Sequence, residues 1–389
     1  MLIKPDVQRF AKIKVIGLGG AGCNVLSTMI SLQQIQGVEF VAINTDAQAL
    51  LANQSPTKVQ IGEALTRGLG AGGDPTIGKQ AAEESTQKIE DVMSDADMVF
   101  LAAGMGGGTG TGAIPTAAAV AKKLGALTVA VVTKPFNFEG TRRMMVAEEG
   151  IEELKDKVDA LIVIPNQRLL EVIDKNMTLQ EAFKMADSVL GQGVQGISDL
   201  ITMPGLINVD FADVRTIMSN AGSALMGIGQ AGGEKRAETA ARIAIASPLL
   251  EVSIEGAKGV LFNVIGGPDM KMEEVDQAAK VISAAADPSA NIIFGASIDP
   301  DQIDQIKITV VATGFDQTRA RLREFAALGA TPAQAGMTQA APSDDTSTPI
   351  PVQATDDDQV GEETREPEVG VEEDEESKWD IPAFLRRNG

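Results

Sequence analysis

The chain has 389 residues, of which 44% are hydrophobic and 22% are charged, and this length allows two domains with hydrophobic cores. Its net charge of −21 argues against a nucleic-acid partner, because phosphate backbones attract basic surfaces. The sequence has no histidine, which excludes serine–histidine triads, histidine general bases and histidine metal sites. Its single cysteine, Cys23, excludes disulfides within the chain and thiolate zinc clusters.

The first residues, MLIKPDVQRFAKIKVIG, show no signal-peptide core, and no apolar stretch approaches the roughly 20 residues that span a bilayer. A single cysteine also fits a reducing compartment. We therefore expect a cytoplasmic protein without a membrane span.

Short apolar segments alternate with helix-length segments from residue 12 to about residue 175. The apolar segments, predicted to be strands, are KIKVIGLG, FVAINTD, MVFLAAG, LTVAVVTKP and ALIVIP. This alternation is typical of an α/β fold with a mostly parallel, doubly wound sheet of the Rossmann type. A long helix is predicted next, over 178–203, because its apolar residues recur at spacings of three and four.

A second, smaller α/β unit is predicted at 205–316, with strands KGVLFNVIGG, NIIFGASID and IKITVVATG and the helix MEEVDQAAKVISAAA. Residues 341–380 hold fifteen acidic and two basic residues, a composition that predicts a disordered, self-repelling linker. The predicted organisation is a nucleotide-binding domain at 1–176, a central helix at 177–204, the second domain at 205–316, an acidic linker at 317–378 and a peptide at 379–389.

Three glycine-rich segments compete for a phosphate ligand. GLGGAG (17–22) matches the dinucleotide fingerprint, which is a weak signal by itself. GGDPTIGKQ (72–80) lacks both the Ser/Thr of a P-loop, which is Gln80 here, and a preceding strand, so we reject that interpretation. GMGGGTGTG (104–112) lies between a predicted strand and a predicted helix that has Pro115 in its first turn. Together with GLGAGGDP (68–75), these loops can hold a di- or triphosphate on backbone N–H groups and helix N-termini.

The string GMGGGTGTG closely resembles the signature of the tubulin/FtsZ family of cell-division GTPases. The likeness continues through INTDAQAL (43–50), PFNFEGTRR (135–143), IPNQRLL (164–170) and NVDFADVRTIM (208–218), and it ends in DIPAFLRR (380–387). It covers residues 12–316 and the final peptide. The resemblance implies a tubulin-like fold that binds and hydrolyses GTP, releases GDP, and receives Mg²⁺ with the nucleotide rather than on a metal site of its own.

The resemblance also implies which residues surround the nucleotide. They are Gly19, Gly20, Ala21, Gly22, Cys23, Asn24, Asn44, Asp46, Ala71, Gly72, Gly73, Gly104, Gly106, Gly107, Gly108, Thr109, Gly110, Thr111, Pro135, Glu139, Arg143, Asn166, Phe183 and Asp187. Thr109 and Thr111 either donate hydroxyl hydrogen bonds to phosphate or serve as ordinary helix caps.

Phe183 and Asp187 lie four residues apart, hence on one face of the predicted central helix. A carboxylate can accept hydrogen bonds from both N1–H and the 2-amino group of guanine, whereas adenine offers neither donor at those positions. The family resemblance favours stacking of Phe183 on the base; helical spacing alone favours an ordinary core residue.

Catalytic roles are implied for Asp210 and Asp213, beside Asn208. Their i, i+3 spacing places both carboxylates on one face at a helix start, where acidic residues also serve as plain helix caps. In the family this loop enters the nucleotide pocket of the next subunit. We therefore expect a head-to-tail homopolymer, the cytokinetic filament, whose active site is completed between molecules.

The final peptide, Trp379–Arg387, is expected to bind a membrane-tethering or regulatory division protein, FtsA-like or similar, at the division site on the inner face of the membrane. Weak direct contact of this peptide with the membrane is the alternative.

The commonest family pattern is not matched at three positions, Ala21, Cys23 and Thr141. Because Cys23 is expected beside the phosphates, we predict that alkylation of its thiol with a bulky reagent lowers GTP binding. An NAD-dependent oxidoreductase built on GLGGAG and a non-hydrolysing GTP-regulated scaffold are the rival functions.

Overall fold

The computed structural model describes residues 11–32, 35, 37–172, 177–203, 205–247, 254–300 and 302–315. The strands are β1 Ile13–Leu18, β2 Val38–Asn44, β3 Thr57–Gln60, β4 Met98–Gly104, β5 Leu127–Lys134, β6 Ala160–Pro165, β7 Gly222–Gly232, β8 Gly259–Gly266, β9 Asn291–Ile298 and β10 Gln305–Thr313. The helices are α1 Gly19–Ser31, α2 Ala47–Ala52, α3 Glu63–Thr66, α4 Pro75–Glu84, α5 Thr86–Met93, α6 Thr109–Lys123, α7 Thr141–Lys155, α8 Asn166–Val172, α9 Leu179–Thr202, α10 Phe211–Met218, α11 Arg236–Ile245 and α12 Met272–Ala285, with a 3₁₀ turn at Asn137–Glu139.

One sheet of ten strands runs through the described residues in the order β3-β2-β1-β4-β5-β6-β7-β10-β8-β9. The pairs from β3 to β7 are parallel, β10 is antiparallel to both of its neighbours, and β8 pairs parallel with β9. The predicted α/β fold with a mostly parallel sheet is confirmed. The acidic linker and the final peptide lie outside the described residues.

Strand β7 was not predicted, although it joins the two halves of the sheet. Its sequence GSALMGIGQAG is rich in glycine, which weakens strand propensity. Packing explains the glycines. A Cβ on Gly227 or Gly229 would overlap a carbonyl oxygen of α11, because that helix lies directly on the strand backbone. The short strand β3, at one edge of the sheet, was also missed.

The central helix α9 runs from Leu179 to Thr202, in agreement with the prediction of 178–203. Its start is fixed by a capping box, in which the Thr178 hydroxyl accepts from Glu181 N and the Glu181 carboxylate accepts from Thr178 N at 2.7 Å. The helix packs into a core shared with α1, α10 and one face of the sheet. Within the described residues, no helix is long and apolar enough to cross a membrane.

Helix α6 begins inside the glycine string, at Thr109. Pro115 is therefore the seventh helical residue, and the expectation that it lies in the first turn is wrong. The glycines form helix here because α6 packs directly against the backbone of α4. A Cβ on Gly112 would overlap the carbonyl oxygen of Pro75. Glycine is therefore needed at this position for close packing of the two helices, and not for the backbone conformation of a turn.

The direction of the crossovers reverses beside β1. The chain proceeds from β1 through β2 to β3 on one side, and from β4 through β5 to β6 on the other. The loops after β1 and β4 therefore diverge at the carboxyl ends of neighbouring strands, and they leave a crevice there, as in other doubly wound sheets.

Candidate functional site

A cavity of about 530 Å³ occupies this crevice. It is bordered by the loops after β1, β4, β5 and β6, by the segment before α4, and by one face of α9. The predicted residues that line it are Gly20, Ala21, Asn24, Ala71, Gly73, Gly104, Gly107, Gly108, Thr109, Gly110, Pro135, Glu139, Arg143, Asn166, Phe183 and Asp187. Sixteen residues scattered over 168 positions of sequence thus share one cavity.

Two helix N-termini meet at one end of the cavity. Helix α1 starts at Gly19 and α6 starts at Thr109, and neither has a side-chain cap or an acidic residue in its first turn. Their first N–H groups are therefore available to a ligand, and both helix dipoles favour a negative charge. This end of the cavity is suited to phosphate groups.

The glycines around this end have two different reasons for lacking a side chain. A Cβ on Gly20 or Gly107 would meet nothing within 4 Å, so neither is required by the packing of the protein itself. A Cβ on Gly22 would overlap the Ala102 carbonyl oxygen, and one on Gly106 would lie 2.7 Å from the Arg143 carbonyl oxygen. Gly20 and Gly107 leave room for a ligand, while Gly22 and Gly106 permit close backbone packing.

The two threonines of the glycine string have separate hydrogen-bond partners. The Thr109 hydroxyl lies 2.6 Å from the hydroxyl of Thr45, a buried residue that the sequence analysis did not single out. The Thr111 hydroxyl accepts from Gly106 N at 2.9 Å and does not line the cavity. Thr111 thus stabilises the conformation of the glycine loop. This role differs from both expected ones, which were helix capping and a hydrogen bond to phosphate.

Phe183, which lines the cavity, belongs to a cluster of three aromatic rings. Phe183 makes edge-to-face contacts with Phe136 and Phe138, with ring centroids 5.4 and 6.4 Å away, and these two rings stack on each other at 5.0 Å. Phe136 is fully buried, whereas Phe138 and Phe183 are exposed. An exposed ring held on edge by two others presents a rigid face on which a planar base can stack.

Two polar side chains in the cavity are suited to a ligand with hydrogen-bond donors. Burial raises the pKa of the Asp187 carboxyl to about 7, and a hydrogen bond from Thr28 acts in the opposite direction. The side-chain oxygen of Asn166 is buried and has no hydrogen-bond partner. A buried hydrogen-bond acceptor without a partner costs free energy, so this oxygen favours binding of a ligand that carries a hydrogen-bond donor.

Glu139 and Arg143 form an ion pair at 2.7 Å across one turn at the start of α7. The other carboxylate oxygen of Glu139 accepts from Phe136 N at 2.9 Å, which fixes the loop that carries the aromatic rings. Both residues line the cavity, and Arg143 is the cation among its lining residues.

Eight predicted residues do not line the cavity: Gly19, Gly22, Cys23, Asn44, Asp46, Gly72, Gly106 and Thr111. Asp46 caps α2 by accepting from Gln48 N and Ala49 N, and the Asn44 side chain accepts from Thr45 N. These two side chains shape the loop after β2.

Cys23 requires a correction. Its side chain is only 2% exposed and packs with Ala42 and Leu50, with the sulfur 3.7 Å from the carbonyl oxygens of Gly17 and Ile43. Burial raises the pKa of this thiol to about 12. Because α1 turns Cys23 away from the cavity toward β2, the expected sensitivity of the folded protein to thiol reagents is not supported.

Asn208, Asp210 and Asp213 also lie outside the cavity, and all three are exposed. Asp210 caps α10 by accepting from Ala212 N at 3.3 Å, and the Asn208 side chain accepts from Gly205 N at 2.6 Å. An antiparallel bridge between Ile207 and Ala296 holds this loop on edge strand β9. The loop follows the far end of α9, and the helix rise of roughly 1.5 Å per residue places Thr202 about 22 Å from Asp187.

Several cavity residues escaped the sequence analysis. Leu18, Val25, Met105, Thr133, Ala186 and Leu190 line the cavity. Most of them are apolar and belong to strand ends or helix faces, where core packing is the ordinary interpretation. Phe138 does not line the cavity but contacts Phe183, and the repeat of phenylalanine in PFNF was the signal that could have drawn attention to it.

Comparisons with known proteins match this chain along most of its length. A model described as the GTPase domain of the Tubulin/FtsZ family matches residues 12–174, and one described as the C-terminal domain of the FtsZ family matches residues 222–316. A structure of the FtsZ dimer, empty, from M. jannaschii is 50% identical with a TM-score of 0.76, over 80% of this chain and 90% of that chain.

More distant structures share the fold. CetZ1 from Haloferax volcanii, a GDP-bound monomer, is 21% identical with a TM-score of 0.70, over 82% of this chain and 99% of that one. CetZ2 from the same organism, a GTPγS-bound protofilament, is 20% identical with a TM-score of 0.67, over 82% and 100% of the two chains. The family matches favour a GTPase over the oxidoreductase alternative.

Proposed function

Since this chain belongs to the tubulin/FtsZ family and is a guanine-nucleotide-binding GTPase, we propose that it hydrolyses GTP only between two copies arranged head to tail. The observation that carries this proposal is the separation of the exposed Asp210 and Asp213 from the cavity. A single chain has a cavity suited to phosphate groups at one end of α9 and two exposed carboxylates beyond the other end.

The cavity supports one orientation of GTP. The phosphates would lie against the open glycines Gly20 and Gly107 and the first turns of α1 and α6. The base would stack on Phe183 and donate from N1–H and its 2-amino group to Asp187. Mg²⁺ would arrive on the phosphates and neutralise part of their charge.

Hydrolysis needs a positioned water as well as bound GTP. Phosphoryl transfer depends mainly on positioning and charge, and an acceptor must orient the attacking water. In the proposed assembly, Asp210 and Asp213 of one copy face the γ-phosphate held by the next copy. The helix start at Phe211 and the bridge of Ile207 to β9 hold these carboxylates on rigid structure.

Such a contact joins two different faces of identical molecules, so it extends into a filament unless it closes. Exposed apolar side chains at both ends of the molecule support it: Leu69, beside the cavity, is 84% exposed, and Leu206, in the loop of Asn208, is 70% exposed. The relatives described as a dimer and as a protofilament support self-association of this chain.

Loss of the γ-phosphate would weaken the contact and release subunits, so that GTP turnover drives filament turnover at the division site. The peptide Trp379–Arg387, which lies outside the described residues, would then link filaments to a membrane-bound FtsA-like protein.

The test measures GTP turnover per molecule against protein concentration, with Mg²⁺, alongside light scattering. A shared site predicts that turnover per molecule rises from near zero above the concentration at which scattering appears. Constant turnover per molecule down to high dilution would show that one chain holds the whole active site, and the proposal would be wrong.

A further inference from the structure

We propose that Arg215 is a positioning residue for hydrolysis, because its guanidinium attaches helix α10 to the end of helix α6 and so fixes the direction in which Asp213 points. The Arg215 guanidinium donates to the carbonyl oxygen of Gly125 at 3.0 Å, across 90 positions of sequence. The inference rests on the proposed function, in which Asp213 acts on the nucleotide held by the next copy. Arg215 does not line the cavity of its own chain.

The acceptor of this hydrogen bond lies in a closed turn at the end of α6. Gly125 N donates to the Lys122 carbonyl oxygen at 3.0 Å, and Ala126 N donates to the Ala121 carbonyl oxygen at 3.2 Å. Together with the positive φ of 80° at Gly125, these two bonds form a Schellman motif, which fixes the end of the helix. The C-terminus of a helix also carries the negative end of its dipole, which favours a cation such as the Arg215 guanidinium.

Helix α10 has only eight residues and is held from two sides. Its apolar residues Val214, Ile217 and Met218 are buried in the core that it shares with α1 and α9. The hydroxyl of Thr313, on β10, donates to the Ile217 carbonyl oxygen at 3.2 Å. Thr313 thus attaches α10 to the C-terminal half of the sheet, and Arg215 attaches it to the turn before β5.

Asp213 and Arg215 flank the buried face of α10 on opposite sides. Successive helical residues are about 100° apart, which places each of the two about 100° from the centre of the buried residues, in opposite directions. A side-chain tip lies roughly 5–6 Å from the helix axis, so a rotation of roughly 20° moves it by about 2 Å. A displacement of about 1 Å can cost a hundredfold in rate. By preventing this rotation, Arg215 keeps the Asp213 carboxylate in position.

A second polar cluster joins the same two helix ends. Lys122 Nζ lies 3.4 Å from a carboxylate oxygen of Asp159 and donates to the Asn220 side-chain oxygen at 3.2 Å. The Asp159 carboxylate also accepts from Thr128 N at 2.9 Å and from Asn220 N at 3.3 Å. Helix α6 therefore borders the cavity with its first turn, at Thr109, and supports α10 with its last. Because this cluster does not involve Arg215, we expect the fold to persist without the guanidinium.

The experiment uses the full chain and measures three quantities. They are GTP affinity below the concentration of assembly, the critical concentration of assembly with GTPγS, and phosphate release per assembled subunit with GTP and Mg²⁺. Arg215→Met removes the guanidinium and keeps an unbranched stem, Arg215→Lys keeps a cationic donor, and Asp213→Asn removes the carboxylate. Arg242→Met is the matched control, since Arg242 is an exposed arginine on α11 that pairs with Glu238.

We expect Arg215→Met to lower phosphate release about tenfold and to leave GTP affinity and the critical concentration within about twofold of wild type. Its melting temperature should stay within a few degrees of the wild-type value. Arg215→Lys should recover most of the wild-type rate, because an ammonium can also donate to the Gly125 carbonyl oxygen. The double variant Arg215→Met/Asp213→Asn should be no slower than Asp213→Asn alone, since Arg215 acts only through that carboxylate. Arg242→Met should match the wild type.

Wild-type turnover in Arg215→Met, with turnover lost in Asp213→Asn, would overturn this inference and leave the proposed function intact. An additive loss in the double variant would show that Arg215 acts independently of Asp213. A raised critical concentration would instead assign Arg215 to the contact between copies. A lowered melting temperature with no recovery in Arg215→Lys would indicate a role in stability alone.

Wild-type turnover in Asp213→Asn would overturn the proposed role of that carboxylate, and this inference with it. If Arg215→Met does not fold, Arg215→Gln gives the same three readouts.

Discussion

Gly107 and Gly22 lie in two glycine strings that look alike in sequence, yet they differ in what a methyl group would meet. Open space surrounds the position of a Cβ on Gly107, whereas a Cβ on Gly22 would overlap the backbone of β4. Gly107 also has no positive φ, so an alanine can adopt its backbone conformation. The first glycine therefore leaves open space in the cavity, and the second permits close packing of α1 on β4.

We predict that Gly107→Ala keeps the wild-type melting temperature within a few degrees and weakens GTP binding about tenfold or more, a loss of about 1.4 kcal/mol. The matched variant Gly22→Ala should instead destabilise the protein by about 1–3 kcal/mol, because α1 must move away from β4. Thermal unfolding and nucleotide titration on both variants separate the two effects. Unchanged GTP affinity in a folded Gly107→Ala would remove this loop from the binding site.

At the scale of elements, a buried acidic residue of α9, Asp199, lies where this helix packs on the C-terminal half of the sheet. Asp199 is only 3% exposed, and burial raises its pKa to about 7, while Lys307 on β10 and a hydrogen bond with Gln195 oppose that rise. Burial in turn lowers the pKa of Lys307. Both groups therefore bear a desolvation cost where the helix meets the sheet.

This acid predicts a pH dependence of stability. Its pKa is higher in the folded protein than the ordinary value of 3.8, so between about pH 4 and pH 7 the unfolded chain releases a proton that the folded protein keeps. The free energy of unfolding should therefore fall as the pH rises through this window. Asp199→Asn should make that slope shallower, and Asp187, whose pKa burial also raises to about 7, should keep part of it. Asp276→Asn on the exposed face of α12 is the control, and it should leave the slope unchanged. An equal slope in Asp199→Asn would show that Asp199 is not the responsible group.

At the scale of the whole molecule, the cavity and the two catalytic candidates belong to different ends of one chain. Two inactive variants should therefore complement each other. Gly107→Ala should leave its own cavity empty at a GTP concentration well below its weakened affinity, and Asp213→Ala should bind GTP but lack turnover.

In an equal mixture, about a quarter of random head-to-tail contacts join an intact cavity to an intact loop. We predict that turnover in the mixture rises to as much as about a quarter of the wild-type rate, measured as phosphate release above the assembly concentration. A mixture as inactive as its components would argue against a shared site. Turnover by Asp213→Ala alone at the wild-type rate would remove Asp213 from catalysis.

The sequence predicted the alternating strands and helices of residues 12–175 and the span of α9, because buried parallel strands and amphipathic helices have strong periodicities. It also predicted most residues of the cavity, through motifs that the family resemblance identified. It failed where packing rather than pattern decides, as in the glycine-rich strand β7 and in the start of α6 within the glycine string.

By itself, then, the sequence determined the parallel α/β fold, the family and the loops that line the cavity, since each of these follows from local patterns of residues. The tertiary structure alone decided which glycines border open space in the cavity, and it turned Cys23 away from the cavity. It also separated Asp210 and Asp213 from the cavity. These are distances between residues far apart in the chain, and they depend on how helices pack on the sheet, which no local pattern records.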